Sequence, residues 1–121
     1  MSDVPMISTL ESFLQLTTAR QRLVSTNMAN VDTPNYHTRD INFQQELNRA
    51  VQVSSMNGGA APALSPVVQE QQGLMERPDG NNVDMDREGL LMAETQLQYQ
   101  MGVSLIKDEF HQILSAINGG N

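Results

Sequence analysis

The sequence contains no cysteine and no tryptophan, and aromatic residues make up only 4% of its 121 residues. Without cysteine, the chain can form neither a disulfide framework nor a thiolate metal site. Because the apolar share is only 39%, below the usual globular fraction, a large self-sufficient core is not expected. These features favour one small domain that depends partly on contacts with other chains for its stability.

Positive charge is also scarce, since fourteen acidic residues against seven basic ones give a formal net charge of −7. Nucleic acids and anionic membranes both attract basic surfaces, so neither is an expected partner. No stretch approaches the roughly 20 apolar residues that span a bilayer, so we expect a protein that is not membrane-inserted. The first residues also lack the basic and apolar regions of a secretory signal peptide.

Residues with catalytic or metal-binding potential are present, but not in working arrangements. Asp84, Asp86 and Glu88 resemble the start of a calcium-binding EF-hand loop, yet the twelfth position, which must be acidic, is Thr95. The two histidines lie on different segments, and no nucleophile motif or phosphate-binding loop is present. The sequence therefore predicts a protein that is not an enzyme and has no catalytic residues, metal or cofactor.

Apolar residues with a helical period mark both ends of the chain. Between residues 6 and 30 they recur at spacings of three and four, as in a heptad seam. The stretch Ser8-Thr9-Leu10-Glu11 fits a capping box, which predicts the start of the first helix, and Pro5 is also compatible with a slightly earlier start. Between residues 84 and 117 the chain is most strongly helical, with Asp84 predicted as the N-cap. This helix carries two apolar rows. One is formed by Leu90, Leu97, Met101 and Leu105, and the other by Met92, Thr95, Tyr99, Gly102, Ile106, Phe110, Ile113 and Ile117.

The segments between these ends are shorter and less regular. The first helix is predicted to stop at Asn30, because Pro34 and its neighbours cannot continue it. A short amphipathic helix is predicted next, with Asp40 as its N-cap. A segment rich in Gly, Pro and Ser follows and predicts flexibility, with Val67–Gln71 as a candidate short strand. The predicted organisation is one small domain with a helix and turn at 1–36, a short helix at 37–51, a flexible middle at 52–81 and a C-terminal helix at 82–121.

The predicted fold class is all-α, with the two long terminal helices packed as an antiparallel coiled-coil-like pair and a loop-rich middle segment. Two apolar rows on the last helix cannot both be buried against one partner helix, so we expect neighbouring chains to cover the remainder. The residues predicted to make protein contacts are Leu10, Phe13, Leu14, Val24, Met28, Leu97, Tyr99, Met101, Leu105, Ile106, Phe110 and Ile113.

Two stretches carry a resemblance to a known family. The first, LVSTNMANVDTPNYHTR at 23–39, resembles the N-terminal signature of flagellar basal-body rod and hook proteins, S-x-N-x-A-N-x-x-T-P-G-Y. Asn35 replaces the usual Gly, but Asn tolerates positive φ, so we expect the turn to be retained. The second, DGNNVDMDREGLLMAETQLQYQ, resembles the proximal rod proteins, with Thr95 where Asn is usual. The residues that match the turn signature include Asn27, Asn30, Thr33, Pro34 and Tyr36.

The resemblance implies a non-enzymatic structural subunit of the flagellar basal-body rod, in its proximal part. The short length and the lack of a large inserted domain favour the FlgB type of subunit, with the FlgC type as the runner-up. Such subunits are exported by the flagellar type III apparatus without a cleaved signal, and they assemble through their terminal helices in the periplasmic space. The implied partners are copies of the same chain, other rod subunits, the ring-adapter protein and the flagellar export gate.

Phe43 and Leu47 also resemble the Phe-x-x-x-hydrophobic pattern that the export gate recognises in early substrates. The same spacing arises in any amphipathic helical turn, so packing is the simpler interpretation. A different class of function is open as well: a soluble helical adaptor or chaperone-like binding module that holds a partner helix on the same apolar rows. The two hypotheses differ in whether the lone chain covers its own apolar surface.

Overall fold

The computed structural model describes residues 3–119, which are mainly helical. Helix α1 spans Asp3–Ala29, α2 spans Phe43–Met56 and α3 spans Met85–Gly119. The predicted helical character and the two long terminal helices are therefore confirmed. Within the described range, no helix combines the length and hydropathy that a membrane crossing requires.

A small antiparallel sheet accompanies the helices. Strand β1 spans Arg39–Ile41 and pairs with strand β2, Val68–Glu70. The strand anticipated near residues 67–71 is thus present. The all-α prediction was wrong in one respect, because β1 was read as the start of a helix. A three-residue strand is too short to show the alternating pattern by which strands are recognised.

Helix α1 begins earlier than the sequence predicted. It starts at Asp3, so the supposed capping box at Ser8 lies inside the helix, and that prediction was wrong. The Ser8 hydroxyl is buried and shares a hydrogen bond of 2.7 Å with the Ser54 hydroxyl on α2. The small side chains of Ser8 and Ser54 let α1 and α2 approach closely. Ser8 and Glu11 have the spacing of a capping box, and this spacing led to the wrong prediction.

Helix α2 also differs in its cap and its length. Asn42, not Asp40, is the N-cap, because the Asn42 Oδ1 atom accepts the Gln45 N–H at 3.1 Å. The helix continues to Met56, beyond the end predicted near residue 51. Asp40 belongs instead to β1, where it is buried.

Helices α1 and α3 run antiparallel and form the most extensive contact in the fold. The end of α1 meets the start of α3, where Asn27 donates from Nδ2 to Glu88 Oε2 at 3.2 Å. Further along α3, Gly102 lies directly against Phe13 and Leu14 of α1. A glycine at this position removes the side chain that would otherwise separate the two helices.

The core is small and lies where α1 is covered by α3 on one side and by α2 on another. Among the described residues, buried polar side chains outnumber buried apolar ones. The interior therefore depends on satisfied hydrogen bonds as much as on apolar packing. The buried apolar side chains are Leu10, Leu16, Val24, Ile41, Ala50 and Val83.

The close approach at Gly102 gives a test of the packing between α1 and α3. A Cβ atom there would lie 2.7 Å from Leu14 Cδ2 and 3.1 Å from Phe13 Cδ1. Gly102→Leu should therefore lower the free energy of unfolding by about 1–3 kcal/mol, because it overpacks the interface. Urea unfolding followed by circular dichroism measures the change.

The matched control is Gly89→Leu on the same helix, where a Cβ would meet nothing within 4 Å. This control should raise the free energy of unfolding by about 0.5–1 kcal/mol, since leucine favours helix over glycine. Equal effects of the two substitutions would contradict the close packing of the helices at Gly102.

Candidate assembly surface

One of the two apolar rows on α3 lies on the outside of the protomer. Its members, which we call the outer row, are Leu90, Leu97, Met101 and Leu105, with exposed fractions of 69%, 61%, 53% and 47%. The buried residues of α3 are Glu88, Thr95 and Gly102. Leu90 and Leu97 each follow one of them by two residues and so lie about 160° away around the helix. Exposed apolar side chains grouped along one side of a helix are typical of a docking surface.

The last turns of α3 expose a second apolar group, which we call the terminal group. It consists of Phe110, Leu114 and Ile117, each more than half exposed. Ile106 and Ile113, which were predicted to make protein contacts, are half-buried. The chain's own fold therefore leaves apolar surface uncovered along α3 as well as at its end.

The predicted contact residues of α1 are placed differently from those of α3. Leu10 and Val24 are buried within the protomer, and Phe13, Leu14 and Met28 are half-buried. Their packing against the rest of the same chain accounts for most of their apolar surface. The predicted contact residues that remain exposed are Leu97, Tyr99, Met101, Leu105 and Phe110, all on α3.

The outer row is oriented by a hydrogen-bonded joint between the end of α1 and the start of α3. The Asn81 side chain, which is fully buried, donates from Nδ2 to the carbonyl oxygens of Asn30 and Thr33, each at 2.8 Å. Its Oδ1 atom accepts the Val83 N–H at 2.8 Å. Asn81 therefore ties the start of α3 to the turn that follows α1.

Asn27 completes the joint from the side of α1. Its Nδ2 atom donates to the Arg39 carbonyl at 2.9 Å and to Glu88 Oε2 at 3.2 Å. Its Oδ1 atom accepts the Tyr36 hydroxyl at 2.9 Å and the Arg39 N–H at 3.1 Å. All four hydrogen-bonding positions of the amide are used, so its burial leaves no polar atom unpaired.

The turn after α1 adopts the conformation that the sequence predicted. Asn35 has a φ of 63°, so the prediction that it would take a position suited to glycine is confirmed. Its N–H donates to the Asp79 carbonyl at 2.9 Å. Gly80 has a φ of 83°, and a Cβ atom there would collide with Asn35 Oδ1. Thr33 Oγ1 closes the turn by donating to Asn30 Oδ1 at 3.0 Å.

Buried charges connect the joint to the rest of the chain. Arg20 donates twice to Asp40, at 3.2 and 3.0 Å, and Arg87 lies 3.6 Å from the same carboxylate. Arg87 also donates to Glu88 at 2.9 Å. Burial raises the pKa of Glu88, against the hydrogen bond from Asn27 and the positive charge of Arg87.

The sequence reading missed this cluster because ion pairs between distant segments leave no local pattern. It assigned Asp40 to a helix cap, which was wrong. Glu88 lies in the first turn of α3. The Asp84 prediction is confirmed, since its Oδ1 atom accepts the N–H groups of Asp86 and Arg87 at 3.0 and 3.3 Å. The carboxylate of Asp84 therefore caps α3.

Phe43 and Leu47, the candidate export motif, lie on α2. The Phe43 ring packs edge-on against Phe13, with ring centroids 5.5 Å apart and planes at 84°. Leu47 is half-buried. Both side chains thus contribute to packing in the folded chain.

The fold and the exposed surface together define a helical assembly subunit. Hydrogen bonds between the end of α1 and the start of α3 fix the orientation of α3, and the outer row of α3 remains exposed. Comparison with known proteins identifies the family. The sequence is 36% identical to the flagellar basal body rod protein FlgB of Salmonella typhimurium and to that of Escherichia coli K12, in alignments that cover 89% of each chain. The corresponding protein of Bacillus subtilis is 29% identical over 94% of both chains. No protein-family model matches the sequence.

The chain therefore belongs to the FlgB family of flagellar basal body rod proteins. It is a structural subunit of the flagellar rod. The turn signature and the Asp79–Gln100 stretch, on which the resemblance was founded, meet at the joint in the folded chain.

Proposed function

We propose that this chain builds the proximal part of the rod, where neighbouring subunits cover the outer row of α3. The observation that carries the proposal is the exposure of that row, whose four members share one helix. The neighbours are copies of the same chain and other rod subunits, and the ring-adapter protein joins the shaft at one end. Export through the flagellar type III apparatus precedes folding and delivers the subunit to the periplasmic space.

The helix pair acts as an antiparallel coiled-coil-like unit in this proposal. Leu10, Thr17 and Val24, which are seven residues apart along α1, are all buried. Residues at this spacing lie on one side of a helix, as a heptad seam requires. Gly102 provides the close approach on the α3 side. In this helix pair the outer row lies on the exposed side of α3, where another helix can pack.

The free energy gained by burying the outer row explains why assembly needs several contacts. Full burial of a leucine or methionine contributes about 1.5–3 kcal/mol, and these four side chains are about half exposed, so covering them contributes about 3–6 kcal/mol. Association itself costs at least about 4 kcal/mol in lost translational and rotational freedom. One such contact is therefore weak alone, and a subunit joins stably only where further surface, such as the terminal group, is covered as well.

The soluble adaptor hypothesis is disfavoured by the same observation. An adaptor that folds alone should cover its apolar surface until its partner arrives, whereas α3 leaves two apolar groups exposed. The relatives are also rod proteins.

Charge on the outer row should block assembly without unfolding the chain. Leu97→Glu places a carboxylate on an exposed position of the row, so the fold should remain while rod formation and motility are lost. Gln100→Glu is the matched control, since it adds the same charge to an exposed α3 position outside the row. Motility assays and electron microscopy of basal bodies measure the outcome. Motile cells carrying Leu97→Glu would contradict a docking role for the row.

Recognition of Phe43 and Leu47 by the export gate must occur before folding, because both side chains pack inside the folded chain. Phe43→Ala should therefore abolish secretion of the chain while leaving its cytoplasmic amount unchanged. Phe13→Ala removes the same ring contact without altering the motif, and should be secreted normally. Immunoblots of secreted and cellular fractions compare the two variants. Equal secretion of both would discard the export role of Phe43.

A further inference from the structure

A histidine next to the joint lies between two carboxylates from different parts of the chain. His37 Nδ1 is 3.2 Å from Glu70 Oε2, at the end of β2. His37 Nε2 is 2.9 Å from Glu76 Oε1, in the loop that follows β2. One imidazole ring therefore connects the sheet and the loop through its two nitrogen atoms.

This arrangement requires a particular charge state of the ring. A neutral imidazole has one N–H donor and one nitrogen lone pair, and an ionised carboxylate can only accept. Both contacts can therefore be hydrogen bonds only when His37 is a doubly protonated imidazolium. After deprotonation, one of the two nitrogen atoms presents its lone pair to a carboxylate oxygen, and that contact becomes repulsive.

The surroundings favour the protonated ring. The hydrogen bond with Glu70 raises the pKa of His37 above its ordinary value of 6.5, desolvation opposes this, and the charges of Glu70 and Glu76 reinforce it. Two arginines are neighbours of these carboxylates: Arg39 lies across the sheet from Glu70, and Arg77 follows Glu76 in the sequence. Arg77 donates to the carbonyls of Val31 and Val83.

The loop held by Glu76 has few other attachments. Among residues 3–119, no backbone hydrogen bond joins residues 72–76 to any other segment. The flanking residues are fixed, since Gln71 N–H donates to the Thr38 carbonyl and Arg77 N–H to the Asn81 carbonyl, each at 2.8 Å. Met75, within the loop, is 91% exposed. The contact between His37 and Glu76 is thus the polar restraint at the C-terminal end of this loop, next to Met75.

We propose that His37 is a pH-controlled latch, whose imidazolium holds the loop at 72–76 through Glu76 and whose deprotonation releases it. Glu70 stays in place in either state, because β2 is paired with β1. The restraint is fully present below pH 6.5 and is lost as the pH rises through the higher value that His37 has in the folded chain. The latch therefore sets the position of the exposed Met75 side chain according to pH, independently of rod assembly.

Relaxation of the backbone Cα carbons of the full chain, measured by NMR from about pH 5.5 to about pH 8, tests the latch. The order parameters of residues 74–76 should fall from about 0.85, as in rigid backbone, towards about 0.6 as His37 deprotonates. The order parameters of β1 should not change over the same range. The titration of the His37 ring signals in the same samples should give a pKa above 6.5.

Variants separate the latch from general pH effects. His37→Gln should remove the pH dependence of the loop, whereas His111→Gln, which removes the histidine on α3, should leave it unchanged. Glu76→Gln should lower the pKa of His37 and loosen the loop at every pH. Loop order parameters that are constant across the range in the unaltered chain, or equally pH-dependent in His37→Gln, would overturn the proposal.

Discussion

The buried amide of Asn27 fixes the geometry on which the rest of the structure depends. It joins the end of α1 to the start of β1 through both backbone groups of Arg39, and to α3 through Glu88. Because all four of its hydrogen-bonding positions are filled, moving α3 by even one residue would leave buried polar groups unpaired. The register of α3 on α1 is thereby set, and the register decides that the row containing Leu97 faces outward.

The hydrogen bonds of this joint determine how the helices are arranged more than they stabilise the folded chain. Hydrogen bonds inside a protein replace bonds to water and contribute modestly, whereas a single missing partner is costly. The apolar core that could supply stability is small, and α3 retains exposed apolar surface. Under the proposed function, the two properties are complementary: the lone subunit is held in one shape but gains most of its stability when neighbours cover the outer row.

Much of the fold could be predicted from the sequence where the determining interactions are local. Asn35 and Asp84 were placed correctly because a residue that tolerates positive φ and a helix cap each act within a few positions. Asp40 was misassigned because its partners, Arg20 and Arg87, come from distant segments and only the folded chain brings them together. The same reason hides the latch at His37.

The candidate surface was predictable in part. Helical periodicity identified two apolar rows on α3 but could not show which of them α1 would cover. The structure separates them: the row with Gly102 faces α1, and the outer row is exposed. Leu10 and Val24 were predicted to make protein contacts, and the structure buries them within the protomer. Helical periodicity shows which face of a helix is apolar. It does not show whether the residues that cover this face belong to the same chain or to a neighbouring one.

A structure of the intact basal body tests the central claim most directly. The account predicts that Leu90, Leu97, Met101 and Leu105 each lie within about 4.5 Å of apolar atoms of a neighbouring subunit. It also predicts that the contact of Gly102 with α1 of its own chain is retained in the rod. A rod in which these four side chains face solvent, while subunits meet through other surfaces, would contradict it.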